Sequence, residues 1–162
     1  MRKVLCGRRA RYGNAVGRPL LAALAVVVLL AGCGGGSGPP RLSSTEFASR
    51  ADDICRTYNR QSTAIARPTS LADLATAIDK LVPLLDQSVE KLKTLRPPKD
   101  EQADVDEWLA AVRRLEDDLR TVKEKATKKD AQGVQAALEA GDAHNKRSNS
   151  LAGKLGMTVC SK

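Results

Sequence analysis

The sequence predicts an all-α protein: an up-down four-helix bundle closed by one disulfide, after a cleaved signal peptide and a flexible tether. Three observations predict it. Apolar residues recur at spacings of three and four, capping and breaking residues divide the chain after residue 42 into four segments, and two cysteines remain in that region. No alternating run of β-branched residues there indicates a strand. Short connections between long amphipathic helices favour the up-down arrangement.

The first 32 residues have the pattern of a bacterial lipoprotein signal peptide. Six Lys and Arg residues precede an apolar stretch over residues 20–31, which is shorter than the roughly 20 residues of a membrane span. The stretch ends in a lipobox, Leu-Ala-Gly-Cys, at residues 30–33. We therefore expect lipidation of the Cys33 sulfur with diacylglycerol, cleavage just before it, and a lipid-anchored protein on the outer face of the cell membrane. The alternatives are an uncleaved anchor and a secretory signal with a chance cysteine.

Removal of the signal peptide changes the charge of the chain. The full sequence carries 27 Lys and Arg against 19 Asp and Glu, a formal net charge of +8. Residues 1–32 contain six of the basic residues and none of the acidic ones, so residues 33–162 carry 21 against 19, or +2. The basic character lies mostly in the signal, and we expect no nucleic-acid partner.

Residues 33–42 are predicted to be a Gly/Pro-rich tether and residues 43–162 the helical bundle domain.

Caps and breakers mark the first two helices. The first is predicted to begin at Ser43, where Glu46 three residues later completes a capping box, and to stop before Pro68. The second begins at Ser70 and carries the clearest apolar stripe of the chain. Pro83 lies inside this stripe, and we expect it to bend the helix because it removes one backbone hydrogen bond.

The third and fourth helices follow a double proline at residues 97–98. The third is predicted from about Asp100 to Ala126, and its acidic start suits the positive end of the helix dipole. The fourth begins after Asp130 and ends near Gly156. Its middle is unusually polar for a helix whose stripe should face a core.

The cysteines separate into three groups. Cys6 leaves with the signal and Cys33 takes the lipid, which leaves Cys55 and Cys160 as a pair in an oxidising compartment. In an up-down bundle the fourth helix ends beside the start of the first, so the two cysteines are within reach of each other. We predict a Cys55–Cys160 disulfide. The alternative, a redox or metal-binding pair, lacks a CxxC spacing or an added cluster of ligands.

Three segments resemble a known group of proteins. Residues 47–55 (FASRADDIC), 95–98 (LRPP) and 155–160 (LGMTVC) resemble anchor segments of uncharacterised actinobacterial secreted proteins and lipoproteins. The resemblance covers most of residues 45–160 as scattered anchors. It implies a disulfide-closed helical fold and a cell-envelope location, and it implies no activity.

The sequence offers little catalytic or metal-binding chemistry. His144 is the single histidine, which argues against a catalytic triad, a multi-histidine zinc site and a di-iron bundle. We expect His144, and likewise Asp52 and Asp53, to face solvent. We predict no catalytic residue, no metal and no cofactor, and we expect that the protein is not an enzyme.

The polar middle of the fourth helix is the one candidate site. The stripe passes through Gly141, Asn145 and Ser148, where a packed bundle favours Leu or Ile. Asn145 and Ser148 are therefore the candidate ligand-binding residues, lining a cleft or accepting a helix of a partner. The alternative is a frayed, locally hydrated segment. The expected function is a non-enzymatic binding or interaction module of the cell envelope, with the membrane as partner through the lipid anchor and an envelope protein as a candidate partner. The second hypothesis is a structural or spacer lipoprotein without a specific ligand.

Overall fold

A computed structural model of the chain describes residues 40–162. These residues contain four α-helices and no strand, and 76% of them are helical. The helices are α1 (Ser44–Thr63), α2 (Leu71–Thr94), α3 (Gln102–Thr127) and α4 (Ala131–Lys154). The predicted all-α class and the number of helices are confirmed. The predicted signal peptide, the lipidation at Cys33 and most of the tether lie outside the described residues.

Local hydrogen bonds explain where the helices begin and end. The Glu46 N–H donates to the Ser43 hydroxyl while the Glu46 carboxylate accepts from the Ser43 N–H, which is the predicted capping box of α1. Ser70 and Asp130 cap α2 and α4 in the same way, each with its side-chain oxygen accepting an N–H of the first turn. Gly156 follows α4 with φ of +76°, a conformation that favours glycine and turns the chain sharply.

Ion pairs between neighbouring helices show the up-down direction of α2 and α3. Asp79, in the first half of α2, pairs with Lys123 near the end of α3. Glu90, near the end of α2, pairs with Arg113 in the first half of α3. The two helices are therefore antiparallel.

Side-chain contacts between α3 and α4 show the relative direction of these two helices. His144 contacts Asp118, and Arg147, further along α4, contacts Glu107, nearer the start of α3. These helices are antiparallel as well. At the other end, the Leu42 N–H donates to the Arg96 carbonyl at 2.8 Å, which joins the start of α1 to the end of α2.

Helix α1 is buried over only its first half. Its buried residues are Phe47, Ala48, Ala51 and Asp52, and the second half of the helix contains no buried residue. The hydrophobic residues of α2, α3 and α4 are buried along more of their length. One edge of the bundle is therefore covered incompletely beyond Asp52.

The hydrophobic core consists of two separate clusters. The upper core lies beside the start of α1 and is built around Phe47, Val89, Trp108 and Met157, which are at most 2% exposed. The lower core lies at the other end of α2, α3 and α4, and its buried residues are Ile78, Val82, Val122, Ala126 and Val134. Leu119 is partly buried and packs against both clusters.

Pro83 lies on the exposed side of α2. The bend that we expect it to cause in this helix stays a prediction.

Within residues 40–162, every helix is too polar or too short to cross a bilayer.

Candidate functional site

A cleft of about 390 Å³ opens between the four helices. Cys55 and Tyr58 of α1 and Cys160 of the tail line one side of it. The other walls are faces of α2, α3 and α4 and are mainly apolar: Leu81, Leu85, Val89, Leu92, Val112, Leu115, Leu119, Val122, Ala137 and Leu138. Its volume lies within the range of about 300–1,000 Å³ that is usual for small-molecule sites.

The sequence of α4 explains why the cleft exists. Gly141, Asn145 and Ser148 all line it, at the positions where the helical stripe leads the sequence analysis to expect Leu or Ile. Glycine has no side chain, and serine and asparagine are short. The side chains of α4 therefore fill little of the space between α4 and α2 at this level. The upper and lower cores therefore remain separate here. Helix α4 runs unbroken through this stretch from Ala131 to Lys154, so the backbone shows no interruption there.

The two candidate ligand-binding residues differ in exposure. Ser148 is 3% exposed, whereas Asn145 is exposed at the rim. Within residues 40–162, no hydrogen bond joins the side chain of Asn145, Ser148 or Asn149, which also lines the cleft, to another group. The Ser148 hydroxyl oxygen is not among the fully enclosed polar atoms that lack a partner, so it is accessible from the space inside the cleft.

Two aromatic residues at the cleft also carry polar groups. Trp108 is 1% exposed, and its indole N–H has no hydrogen-bond partner among the described residues. Tyr58 lies in largely apolar surroundings, and its burial raises the pKa of the phenol above its ordinary value. Both side chains combine a large apolar surface with one donor group, which is common in ligand pockets.

His144 is not simply solvent-facing, which corrects the expectation from the sequence. Its ring is about two-fifths exposed, and its Nδ1 lies 2.8 Å from Oδ2 of Asp118, a residue that lines the cleft. The sequence places the two residues 26 positions apart, on different helices. Their contact depends on the register between α3 and α4, which periodicity within one helix does not reveal.

The expectation for Asp52 is wrong. It is 7% exposed, and its carboxylate accepts four hydrogen bonds from the tail after α4. The N–H groups of Thr158, Val159 and Cys160 donate at 2.8, 2.9 and 3.1 Å, and the Thr158 hydroxyl donates at 2.8 Å. Burial raises the pKa of Asp52, but these hydrogen bonds outweigh it, and the net pKa lies below the ordinary value. Asp53 is exposed, as expected.

The disulfide closes the same side of the cleft. Cys55 and Cys160 are bonded, with their Cα atoms 5.4 Å apart, and they lie 105 positions apart in the sequence. Cys55 lies one turn after Asp52 on α1, so the carboxylate and the disulfide hold adjacent parts of one tail. Val159 and Lys162 of this tail also line the cleft. The predicted disulfide is confirmed, and the tail that it fixes forms part of the wall.

The acidic start of α3 shows no arrangement suited to a metal ion. Within residues 40–162, no group of three or more His, Cys, Asp or Glu side chains comes together in that way. Glu101 instead accepts a hydrogen bond from the Ser44 hydroxyl at 2.5 Å, which connects this region to the start of α1.

Comparison with protein-family models, with curated proteins and with solved structures finds no match to this chain.

Proposed function

We propose that this chain is a lipoprotein of the cell envelope whose helical domain binds a small ligand in the cleft and does not catalyse a reaction. The lipobox at residues 30–33 supports the membrane anchor, and the resemblance to actinobacterial secreted proteins and lipoproteins agrees with that location.

One observation carries the binding proposal: the cleft lies where the core is interrupted. A spacer needs only stability and length, and filling positions 145 and 148 with Leu or Ile would serve both, whereas a side chain at position 141 would contact Asp118. The chain instead has polar residues at 145 and 148, and they line about 390 Å³ of space. Proteins commonly retain such unfavourable positions where function requires them.

Ser148→Leu tests the cleft directly. The leucine should fill space beside Ser148 and bury apolar surface against the lining of the cleft, so we expect the free energy of unfolding to rise by about 1–2 kcal/mol. Ser150→Leu is the matched control, because Ser150 is exposed on α4 and does not line the cleft. We expect it to change stability by less than about 0.5 kcal/mol. Urea unfolding followed by circular dichroism measures both variants.

Binding is tested with N-phenylnaphthylamine, a neutral dye that fluoresces in apolar sites. We expect the wild-type protein and Ser150→Leu to bind the dye equally, and Ser148→Leu to bind it at least about tenfold more weakly. Equal binding by all three proteins, or none by the wild type, would favour a spacer lipoprotein over a binding module.

The membrane anchor is tested at Cys33. Intact-mass analysis of the chain from its native envelope should show a protein that begins at Cys33 and carries a diacylglycerol group. Cys33→Ala should leave the precursor uncleaved or release the protein from the membrane fraction. A wild-type protein with an unmodified Cys33 would contradict the proposed anchor without affecting the cleft.

A further inference from the structure

We infer that the cleft takes an amphiphile with a single alkyl chain and an uncharged, hydrogen-bonding headgroup, such as a monoacylglycerol. This inference rests on the proposed function and specifies the ligand of the same cleft.

The dimensions of the cleft favour one alkyl chain. Its lining residues on α4 run from Ala137 to Asn149, which spans about 18 Å at the helical rise of 1.5 Å per residue. An extended alkyl chain can follow a cleft of that length. The volume of about 390 Å³ lies near the lower end of the range of about 300–1,000 Å³ for small-molecule sites, which favours one alkyl chain over two.

The two ends of the cleft differ in polarity. The end next to the lower core is lined by Leu81, Leu119, Val122 and Ala137, and Leu138 is 48% exposed at its rim. This surface can cover an alkyl chain, and each methylene group removed from water contributes about 0.8 kcal/mol. The alkyl chain therefore lies towards the lower core.

The other end of the cleft supplies hydrogen bonds. Asn145, Ser148 and Asn149 line it from α4, and no other group in residues 40–162 hydrogen-bonds to their side chains. Trp108 also lines the cleft, but its indole N–H is fully enclosed and does not face the space inside it. The amide and hydroxyl groups of α4 suit the hydroxyl and ester oxygens of an uncharged headgroup.

The charges around the cleft disfavour an anionic headgroup. Asp118 and Asp142 both line it, and each already has a basic partner: His144 at 2.8 Å and Lys146 at 2.6 Å. Lys162, the remaining charged residue of the lining, is exposed. Because both carboxylates are paired and Lys162 is solvated, the lining offers no buried cation to compensate the desolvation of a carboxylate headgroup, a cost that an uncharged headgroup does not carry.

Trp108 allows the inference to be tested with the chain's own fluorescence, because it is the only tryptophan in the sequence. We would use residues 33–162 with Cys33→Ser, with circular dichroism confirming that each protein is helical. The probes are monolauroylglycerol, laurate and dilauroylglycerol, all below their aggregation concentrations. Two further monoacylglycerols carry one bromine, either beside the carbonyl or at the far end of the chain. Bromine quenches tryptophan fluorescence only at short range.

We expect monolauroylglycerol to bind at least about tenfold more tightly than laurate or dilauroylglycerol, and Ser148→Leu, but not Ser150→Leu, to lose that binding. Bromine beside the carbonyl should quench Trp108 strongly, and bromine at the far end should quench it weakly. Tighter binding of laurate, equal binding of the two-chain lipid, or the reverse order of quenching would overturn the inference. Binding of N-phenylnaphthylamine without binding of any lipid would overturn it too, while leaving the proposed cleft function intact.

Discussion

Replacing Cys55 and Cys160 together with alanine is expected to lower the free energy of unfolding by roughly 4–5 kcal/mol. The disulfide joins residues 105 positions apart, and the chain-entropy model assigns about this stabilisation to a loop of that length. A domain of this size has a total stability of about 5–15 kcal/mol. The disulfide therefore supplies a large share of it, because the core is divided into two clusters and contains few aromatic residues.

Urea unfolding of residues 33–162 measures this prediction, with Cys33→Ser in every protein so that Cys33 adds no free thiol. Reducing the otherwise unchanged protein should reproduce the loss seen with alanine, since both treatments open the same loop. A loss below about 1 kcal/mol would mean that the reduced chain retains the looped arrangement before it folds.

The four helices were predictable because their signals are local. Ser43, Ser70 and Asp130 each cap a helix through an N–H three residues away, and that spacing is visible in the sequence. The start of α3 has no such signal, and there the structure has no side-chain cap at Glu101. The disulfide was predictable for a different reason, because the other two cysteines have separate expected fates.

The candidate site was only partly predictable. Periodicity along α4 identified the three positions that line the cleft. A small or polar residue within an apolar stripe is visible in the sequence of a single helix. The contact of His144 with Asp118 and the hydrogen bonds of Asp52 join residues that are 26 and more than 100 positions apart. One signal in the sequence could have identified Asp52, although we expected it to face solvent: an irregular tail follows Gly156, and its N–H groups need acceptors near Cys55. An acidic residue one turn before that cysteine can supply them.

The second large effect is expected for Asp52→Asn, which should lower the free energy of unfolding by about 3 kcal/mol at neutral pH. The carboxylate accepts four hydrogen bonds, three of them from backbone N–H groups of the tail. An asparagine has one acceptor oxygen and places an NH₂ group against the remaining donors. Asp53→Asn is the matched control, and its exposed pair with Arg56 should be worth less than about 0.5 kcal/mol.

The effect of Asp52 should depend on pH with a definite sign. The pKa of Asp52 lies below the ordinary value of about 3.9 in the folded protein, so its stabilisation is complete well above that value. It should be lost as the pH falls from about 5 through 3.9 towards the lower folded pKa. The difference in unfolding free energy between wild type and Asp52→Asn should therefore be constant above about pH 5.5 and shrink below it. A difference that grows in acid would contradict the lowered pKa.

Asp52 and the disulfide should not act independently, because both hold the tail against α1. With the disulfide present, Asp52→Asn leaves the tail's N–H groups confined beside a poor acceptor. Without it, the tail can detach and its N–H groups can bond to water, so the same substitution should cost less. We expect a coupling free energy of at least about 1 kcal/mol in a double-mutant cycle of Asp52→Asn with the two alanine replacements. Additive losses would show that the tail stays in place without the disulfide, held by packing of Met157 and Leu155 in the upper core.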